Sequence, residues 1–253
     1  MCDIVSGGRL ELGIARGAYA YEYQRIGGGI EAAEAGRRLR AMIPAIKGLW
    51  EGDHAVDNEF WSFPATTSAP KPLQRPHPPI WIAARDPASH DFAVANGCNV
   101  QVTPLSMDDG EVESLMARFE AACASHAQVP RPKIMLLRHT FVGETEAEVA
   151  RGAADVSRFY CHFATWFKNR RPVSQGLIEP LDEAEMAAME MFSPATMRAN
   201  NVIGRPAEVV ARLKRYEALG YDEYSFWIDT GMAFERKKRS LELFIERVMP
   251  EFG

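Results

Sequence analysis

Ser6-Gly7-Gly8-Arg9-Leu10-Glu11-Leu12-Gly13-Ile14-Ala15-Arg16-Gly17 is the stretch that decides the fold. Apolar residues alternate from Leu10 to Ile14, and this period of two predicts a β-strand. Arg16 stands at the carboxyl end of that strand, where parallel α/β sheets and barrels bind their ligands. A guanidinium can hold a phosphate there through two parallel hydrogen bonds. The alternative interpretation of Arg16 is an ordinary surface arginine at a junction between strand and loop.

Two later stretches also carry recognisable patterns. Pro70 to Pro79 is too rich in proline for a helix or a central strand, so it predicts an extended segment. This segment leads into Ile80-Trp81-Ile82-Ala83-Ala84, a short apolar run typical of a strand buried in a parallel sheet. The third stretch is Val202-Ile203-Gly204-Arg205-Pro206-Ala207-Glu208-Val209, which is followed by a helix and a strand.

These three stretches resemble motifs of the bacterial luciferase-like flavin-dependent monooxygenases. In that family a Ser-x-Gly-Arg turn precedes a Leu-x-Leu-Gly-x-x-Arg-Gly strand, as in residues 6–17. The motifs occur in order over almost the whole chain, which makes the resemblance specific. It implies a flavin-dependent oxidoreductase or monooxygenase that uses reduced FMN and oxygen on a small organic substrate.

The alternation of strands and helices predicts parallel βαβ units, hence an α/β fold of the (β/α)8 TIM-barrel type in one domain over residues 1–253. The sequence predicts five such strands, which start at Leu10, Ile80, Asn99, Ile134 and Glu223. The first resembles the family's fourth barrel strand. The resemblance therefore implies an incomplete barrel that lacks three N-terminal βα units, roughly a hundred residues. Open sheet edges predict a homo-oligomer.

Several local predictions accompany this fold. Residues 1–5 resemble the end of a helix. Residues 18–29 predict a flexible loop, and residues 54–63 a short hairpin. Helical periodicity runs from Glu31 to Trp50, where Pro44 predicts a kink or a break. The same periodicity predicts a long helix over Thr145–Arg170 and one methionine-rich helix over Leu181–Arg198.

The candidate cofactor-binding residues follow the first two strands. The resemblance implies that Arg16, with Gly17 beside it, contacts the flavin phosphate. It also implies that the turn containing Ala84, Arg85 and Ser89 offers hydroxyl and backbone N–H groups to the same phosphate at a helix N-terminus. Asp86 stands where the family often has serine. Its carboxylate would repel a phosphate, so we interpret Asp86 as a helix cap.

Composition excludes other classes of function. The net charge is −5 and no Lys/Arg run stands out, so neither nucleic acid nor a membrane is expected as a partner. The four cysteines are far apart, which is typical of reduced thiols in a cytoplasmic protein. The six histidines lack the spacing of metal ligands, and no metal is expected. The sequence assigns no catalytic residue.

Three hypotheses of function stay open at this point. The first is a monooxygenase supplied by a separate flavin reductase. The second is an oxidoreductase that transfers hydride with a deazaflavin coenzyme. The third is a truncated, catalytically inactive subunit that binds flavin or serves in assembly.

Overall fold

The computed structural model describes residues 1–168 and 171–252, without the side chain of Ala20. The chain divides into two compact units. Unit 1 comprises Met1–Val100 with Ala122–Pro132, and unit 2 comprises Gln101–Ala121 with Lys133–Gly253. The three boundaries along the chain fall inside a strand, inside a helix and just before the strand that begins at Ile134. The single domain expected over residues 1–253 stays a prediction.

Unit 1 contains a parallel strand pair followed by helices and a hairpin. Its elements are α1 (Cys2–Val5), β1 (Leu12–Ile14), α2 (Ala20–Arg25), α3 (Ala32–Glu51), β2 (His54–Asp57), β3 (Ser62–Thr66), β4 (Ile80–Ala83), α4 (Pro87–Ala95) and the start of β5 (Asn99–Val102). Strands β1 and β4 pair in parallel, with Leu12 opposite Ile80 and Ile14 opposite Ile82. Strand β4 pairs next with β5. The residues that follow β1 and β4 therefore lie at one edge of this sheet.

Asp3 positions the proline-rich segment that precedes β4. Its buried carboxylate accepts hydrogen bonds from the backbone N–H groups of Leu73 and Gln74, at 2.6 and 3.0 Å. The side-chain amide of Gln74 donates both to Asp3 and to the carbonyl of Leu10. These bonds connect α1, the turn before β1 and the approach to β4, so they set the register of the strand pair.

Unit 2 is built around the long strand β6. Its elements are the end of β5, most of α5 (Asp109–Ser125), β6 (Ile134–Val142), α6 (Glu146–Lys168), β7 (Val173–Ser174), β8 (Leu177–Ile178), α7 (Glu183–Ala187), α8 (Pro194–Asn200), β9 (Val202–Gly204), α9 (Pro206–Leu219), β10 (Glu223–Trp227) and α10 (Phe234–Arg247). The first part of β6 pairs in parallel with β10, and its last part pairs in parallel with β9.

A buried charged cluster lies on one face of β6. The guanidinium of Arg138 is fully buried and donates to the carboxylate of Asp109 at 3.0 Å and to the Tyr216 hydroxyl at 3.1 Å. Arg212 donates to the same carboxylate oxygen at 2.9 Å. Burial raises the pKa of Asp109, but hydrogen bonds from Tyr216 and Arg212 and the arginine charges outweigh burial and hold that pKa below its usual value.

The structure confirms most of the sequence-predicted elements and corrects the strand count. Helix α1, the hairpin β2–β3 and helix α6 lie where they were predicted, although residues 169–170 of the predicted long helix lie outside the described residues. Apart from the two antiparallel pairs β2–β3 and β7–β8, the described residues contain six strands, whereas the sequence predicted five. These six are β1, β4, β5, β6, β9 and β10. The additional strand is β9. It was missed because it has only three residues, Val202–Gly204, which is too short for an alternating pattern to show.

Three further predictions were wrong in detail. The loop expected over residues 18–29 contains helix α2, which is held by the buried ring of Tyr23. Helix α3 has no break at Pro44, since its buried residues Ile43 and Ala45 keep that face packed, while the kink expected there stays a prediction. The methionine-rich helix is interrupted between α7 and α8, because Ser193 caps a new helix that begins at Pro194.

The described residues contain neither a membrane-spanning helix nor a metal site. Among them, no helix is long and apolar enough to cross a membrane. They also contain no group of three or more histidine, cysteine, aspartate or glutamate side chains arranged to hold a metal ion.

Candidate functional site

Unit 1 contains a cavity of about 420 Å³ at the carboxyl ends of β1 and β4. Its size is within the range of ligand-binding clefts. One wall is formed by α3 and another by the turn into α4. The cavity is lined by Arg16, Ala32, Ala33, Gly36, Arg37, Leu39, Arg40, Ile82, Ala83, Arg85, Asp86, Ser89 and Phe92.

The charges around this cavity favour an anion. Arg16, Arg37, Arg40 and Arg85 line it, and Asp86 is its single carboxylate. Four guanidinium groups against one carboxylate create a positive potential, and guanidinium groups match the geometry of phosphate oxygens. The residues present therefore fit the phosphate group of a flavin mononucleotide.

Arg16 follows β1 in a loop that α2 holds in place. The hydroxyl of Tyr23 donates to the carbonyls of Arg16 and Gly17, at 3.1 and 2.7 Å. Gly17 has a φ of +91°, and a Cβ at this position would lie 3.3 Å from the Tyr23 ring. The guanidinium of Arg16 is exposed, and among the described residues it donates only to the carbonyl of Ala32, at 3.4 Å. Its remaining N–H groups are accessible to a ligand.

Asp86 is the N-cap of α4, as the sequence predicted. Its carboxylate accepts from the Ser89 backbone N–H at 2.9 Å and from the Ser89 hydroxyl at 2.7 Å. Burial raises the pKa of Asp86, yet the bonds from Ser89 and the charge of Arg40 outweigh burial and lower that pKa overall. The carboxylate is thus ionised at neutral pH and occupies both donors of Ser89.

The other two arginines come from α3 and were not predicted. Arg37 donates to Glu59 at 3.4 Å, and its guanidinium lies over the ring of Phe60. Arg40 lies 6.0 Å from the centre of the Phe92 ring and forms no ion pair among the residues the structure describes. The sequence places three arginines close together in the predicted helix, at positions 37, 38 and 40, but which of them lies opposite β4 depends on the packing of α3.

The structure brings three of the five predicted binding residues to this cavity. Arg16, Arg85 and Ser89 line it, although the donors of Ser89 are occupied by Asp86. Gly17 and Ala84 adjoin these residues in the chain but do not line the cavity. Ala84 is buried in the core after β4. The roles of all five in binding a cofactor stay predictions.

Unit 2 contains a second polar feature inside an aromatic cluster. His139, on β6, stacks on Trp227 at the end of β10, with ring centres 3.7 Å apart. Its Nδ1 lies 2.9 Å from the hydroxyl of Tyr160, and the ring of Phe159 covers another side. Burial lowers the pKa of His139 to about 3, although a hydrogen bond with the backbone of Asp229 acts to raise it. His139 is therefore neutral at physiological pH.

Comparison with known proteins places these features in a family. Residues 1–223 match the profile of the Luciferase-like monooxygenase family. The chain is 60% identical over 253 residues to the oxygenase component of flavin-dependent trigonelline monooxygenase from Acinetobacter baylyi. The matched region covers 100% of this chain and 70% of that protein.

Two more similarities are weaker. The chain is 29% identical over 232 residues to the FMNH2-dependent dimethylsulfone monooxygenase of Pseudomonas putida. The matched region covers 87% of this chain and 61% of that protein. The crystal structure of monooxygenase RslO1 from Streptomyces bottropensis has a TM-score of 0.73 and 23% identity, over 99% of this chain and 71% of that one. This last similarity concerns the fold alone.

Proposed function

Since this chain belongs to the luciferase-like monooxygenase family, we propose that it is the oxygenase component of a two-component monooxygenase that uses reduced FMN and oxygen on trigonelline. The arginine-lined cavity of unit 1 is the observation that carries the cofactor assignment, because its charge suits a phosphate. The trigonelline monooxygenase component, 60% identical, supports the substrate and the separate flavin reductase.

The protein's own residues bind and orient the cofactor in this proposal. Arg16 and Arg85 hold the phosphate at the carboxyl ends of β1 and β4, and Tyr23 keeps the Arg16 loop in place. Reduced flavin, when bound, supplies the two electrons that allow one oxygen atom to enter the substrate while the other leaves as water. The positive cavity also attracts a dianionic cofactor released by a reductase.

Turnover tests the proposed function directly. We expect the purified chain to consume trigonelline when it receives oxygen and FMN that an added NADH-dependent flavin reductase keeps reduced. Consumption should stop when either the reductase or the oxygen is left out. Flavin binding without any consumption would contradict the proposal and favour the inactive flavin-binding subunit. Hydride exchange with a deazaflavin, without oxygen use, would favour the deazaflavin oxidoreductase.

Arg16→Ala tests the phosphate assignment. A charge-assisted hydrogen bond contributes roughly 1.5–3 kcal/mol, so we expect about ten- to a hundredfold weaker FMN binding and almost unchanged riboflavin binding. Titration of flavin fluorescence measures both affinities. Arg9→Ala is the matched control, because Arg9 is exposed in the turn before β1 and donates to the carbonyl of Ser6. Equal losses for the two flavins would mean that Arg16 supports the fold and not the phosphate.

A further inference from the structure

Unit 2 contains a cavity of about 390 Å³ beside the first residues of β10, between α9 and α10. Its size is within the range of small-molecule sites. Five aromatic side chains line it, those of Tyr216, Tyr221, Tyr224, Phe244 and Phe252. The face of an aromatic ring carries negative charge density, which attracts a cation and repels an anion. The walls of this cavity therefore favour a ligand that presents apolar surface and a positive charge.

The hydroxyl groups of the three tyrosines are already bonded to the protein. The hydroxyl of Tyr216 donates to the carboxylate of Asp109 at 2.7 Å, and the hydroxyl of Tyr221 donates to the carbonyl of Val112 at 2.8 Å. The hydroxyl of Tyr224 is hydrogen-bonded to a threonine hydroxyl on β6. These bonds fix the three rings and leave their hydrocarbon surface to the cavity. A neutral polar ligand would lose hydrogen bonds to water on entering between such walls, which costs free energy.

Among the described residues that line the cavity, the charged ones are all acidic. They are Glu217, Asp222 and Glu223. Asp222 accepts from the backbone N–H of Ile134 at 2.8 Å, and Glu223 pairs with the exposed ammonium of Lys133 at 2.8 Å. An exposed ion pair is weak, so Lys133 compensates the charge of Glu223 only in part. Three carboxylates beside aromatic rings make the charge of this cavity complementary to a cation.

An ammonium group of the protein itself lies at the rim of this cavity. The Nζ atom of Lys214 is 4.3 Å from the centre of the Phe252 ring and 3.0 Å from a carboxylate oxygen of Glu217. Both of these partners line the cavity, whereas Lys214 does not. The Lys214 side chain is 44% exposed, so packing does not confine its ammonium to this position. The ring and the carboxylate together thus receive a single positive charge that another cation can replace.

We propose that the cavity binds a small organic cation, with its positive charge over Phe252 and beside Glu217 and its apolar part against the tyrosine rings. The ligand belongs to the quaternary ammonium or alkylpyridinium class, because such cations carry no N–H groups that need hydrogen-bond acceptors. The charge of the ligand takes the position that the Lys214 ammonium holds in the free protein. This site goes beyond the proposed function, since neither flavin nor oxygen takes part in it.

Choline chloride is the probe for this site, and its uncharged analogue, in which a carbon atom replaces the nitrogen, is the matched control ligand. We expect choline to bind the whole chain about five- to thirtyfold more tightly than the analogue. The two molecules have the same shape, and only choline gains the attraction between a cation and the rings. Ligand-observed NMR titrations measure both affinities. Equal affinities, or no binding of choline, would overturn the inference.

Two substitutions locate the bound charge. We expect Phe252→Leu to weaken choline binding about fivefold. Its matched control is Phe234→Leu, which removes an exposed ring of α10 that does not line the cavity and should change the affinity by less than about twofold. We expect Lys214→Met to strengthen choline binding about two- to fivefold, because the ring and the carboxylate lose their competing ammonium. Lys238→Met removes an exposed ammonium from α10 and is the control for net charge.

The controls decide whether the effects belong to this cavity. A loss of choline affinity in Phe234→Leu as large as that in Phe252→Leu would overturn the inference, because any exposed ring would then serve. A gain in Lys238→Met as large as that in Lys214→Met would overturn it too, since net charge alone would explain both gains, and so would the absence of any gain in Lys214→Met. A damaged fold does not produce tighter binding, so Lys214→Met tests the site even if Phe252→Leu unfolds the protein.

Discussion

Asp109→Ala is expected to lower the free energy of unfolding by about 3–5 kcal/mol, because it leaves a buried arginine without its counter-ion. The side chain of Arg138 is 0% exposed, and Asp109 is its carboxylate partner at 3.0 Å. Burial already lowers the pKa of Arg138, which reflects the cost of keeping this charge away from water. Removal of Asp109 takes away the interaction that offsets this cost. Urea unfolding at neutral pH, followed by circular dichroism, measures the change.

Two further variants make this test specific. Glu113→Ala removes an exposed carboxylate from the same helix, α5, and should change stability by less than about 0.5 kcal/mol. The double variant Asp109→Ala with Arg138→Met removes both charges, so it should be more stable than Asp109→Ala alone. If Asp109→Ala costs no more than Glu113→Ala, the cluster contributes nothing to stability.

His139 is expected to make the protein lose stability in acid. The pKa of His139 is about 3 in the folded protein, whereas an unperturbed histidine has a pKa of about 6.5 in the unfolded chain. Between these values the unfolded chain binds a proton that the folded protein does not, so stability rises with pH. The stability that comes from keeping His139 neutral is complete above about pH 6.5. It is lost as the pH falls towards 3, by roughly 1 kcal/mol for each pH unit.

His139→Gln should remove this part of the pH dependence. We expect the variant to be less stable than the unmodified protein at pH 7, since it loses the stack on Trp227, and to lose less stability between pH 6.5 and 4.5. His162→Gln is the matched control, because it removes a half-buried imidazole from α6. Urea unfolding at several pH values provides the slopes. Parallel slopes for the protein and His139→Gln would show that His139 is protonated in the folded state.

The family, the type of fold and the position of Arg16 at a strand end could all be predicted from the residues. These features are local, because alternation of apolar residues, a Gly-Gly turn and a strand-end arginine are visible within twelve consecutive residues. The Asp86 cap was also predictable, since an N-cap and the Pro that follows it act within one helical turn. The same holds for the hairpin β2–β3 and for the long helix α6.

Which side chains meet depends on how the helices and strands pack. Arg37 and Arg40 reach the cavity because α3 packs with that face towards the ends of β1 and β4, whereas Arg38, between them in the chain, does not line it. Asp109 and Arg138 are 29 residues apart and meet because the first residue of α5 lies beside β6. Helix α2 and strand β9 are short, so their stability comes from Tyr23 and from pairing with β6. Local patterns determine elements, whereas contacts between distant residues depend on packing that no short stretch of sequence contains.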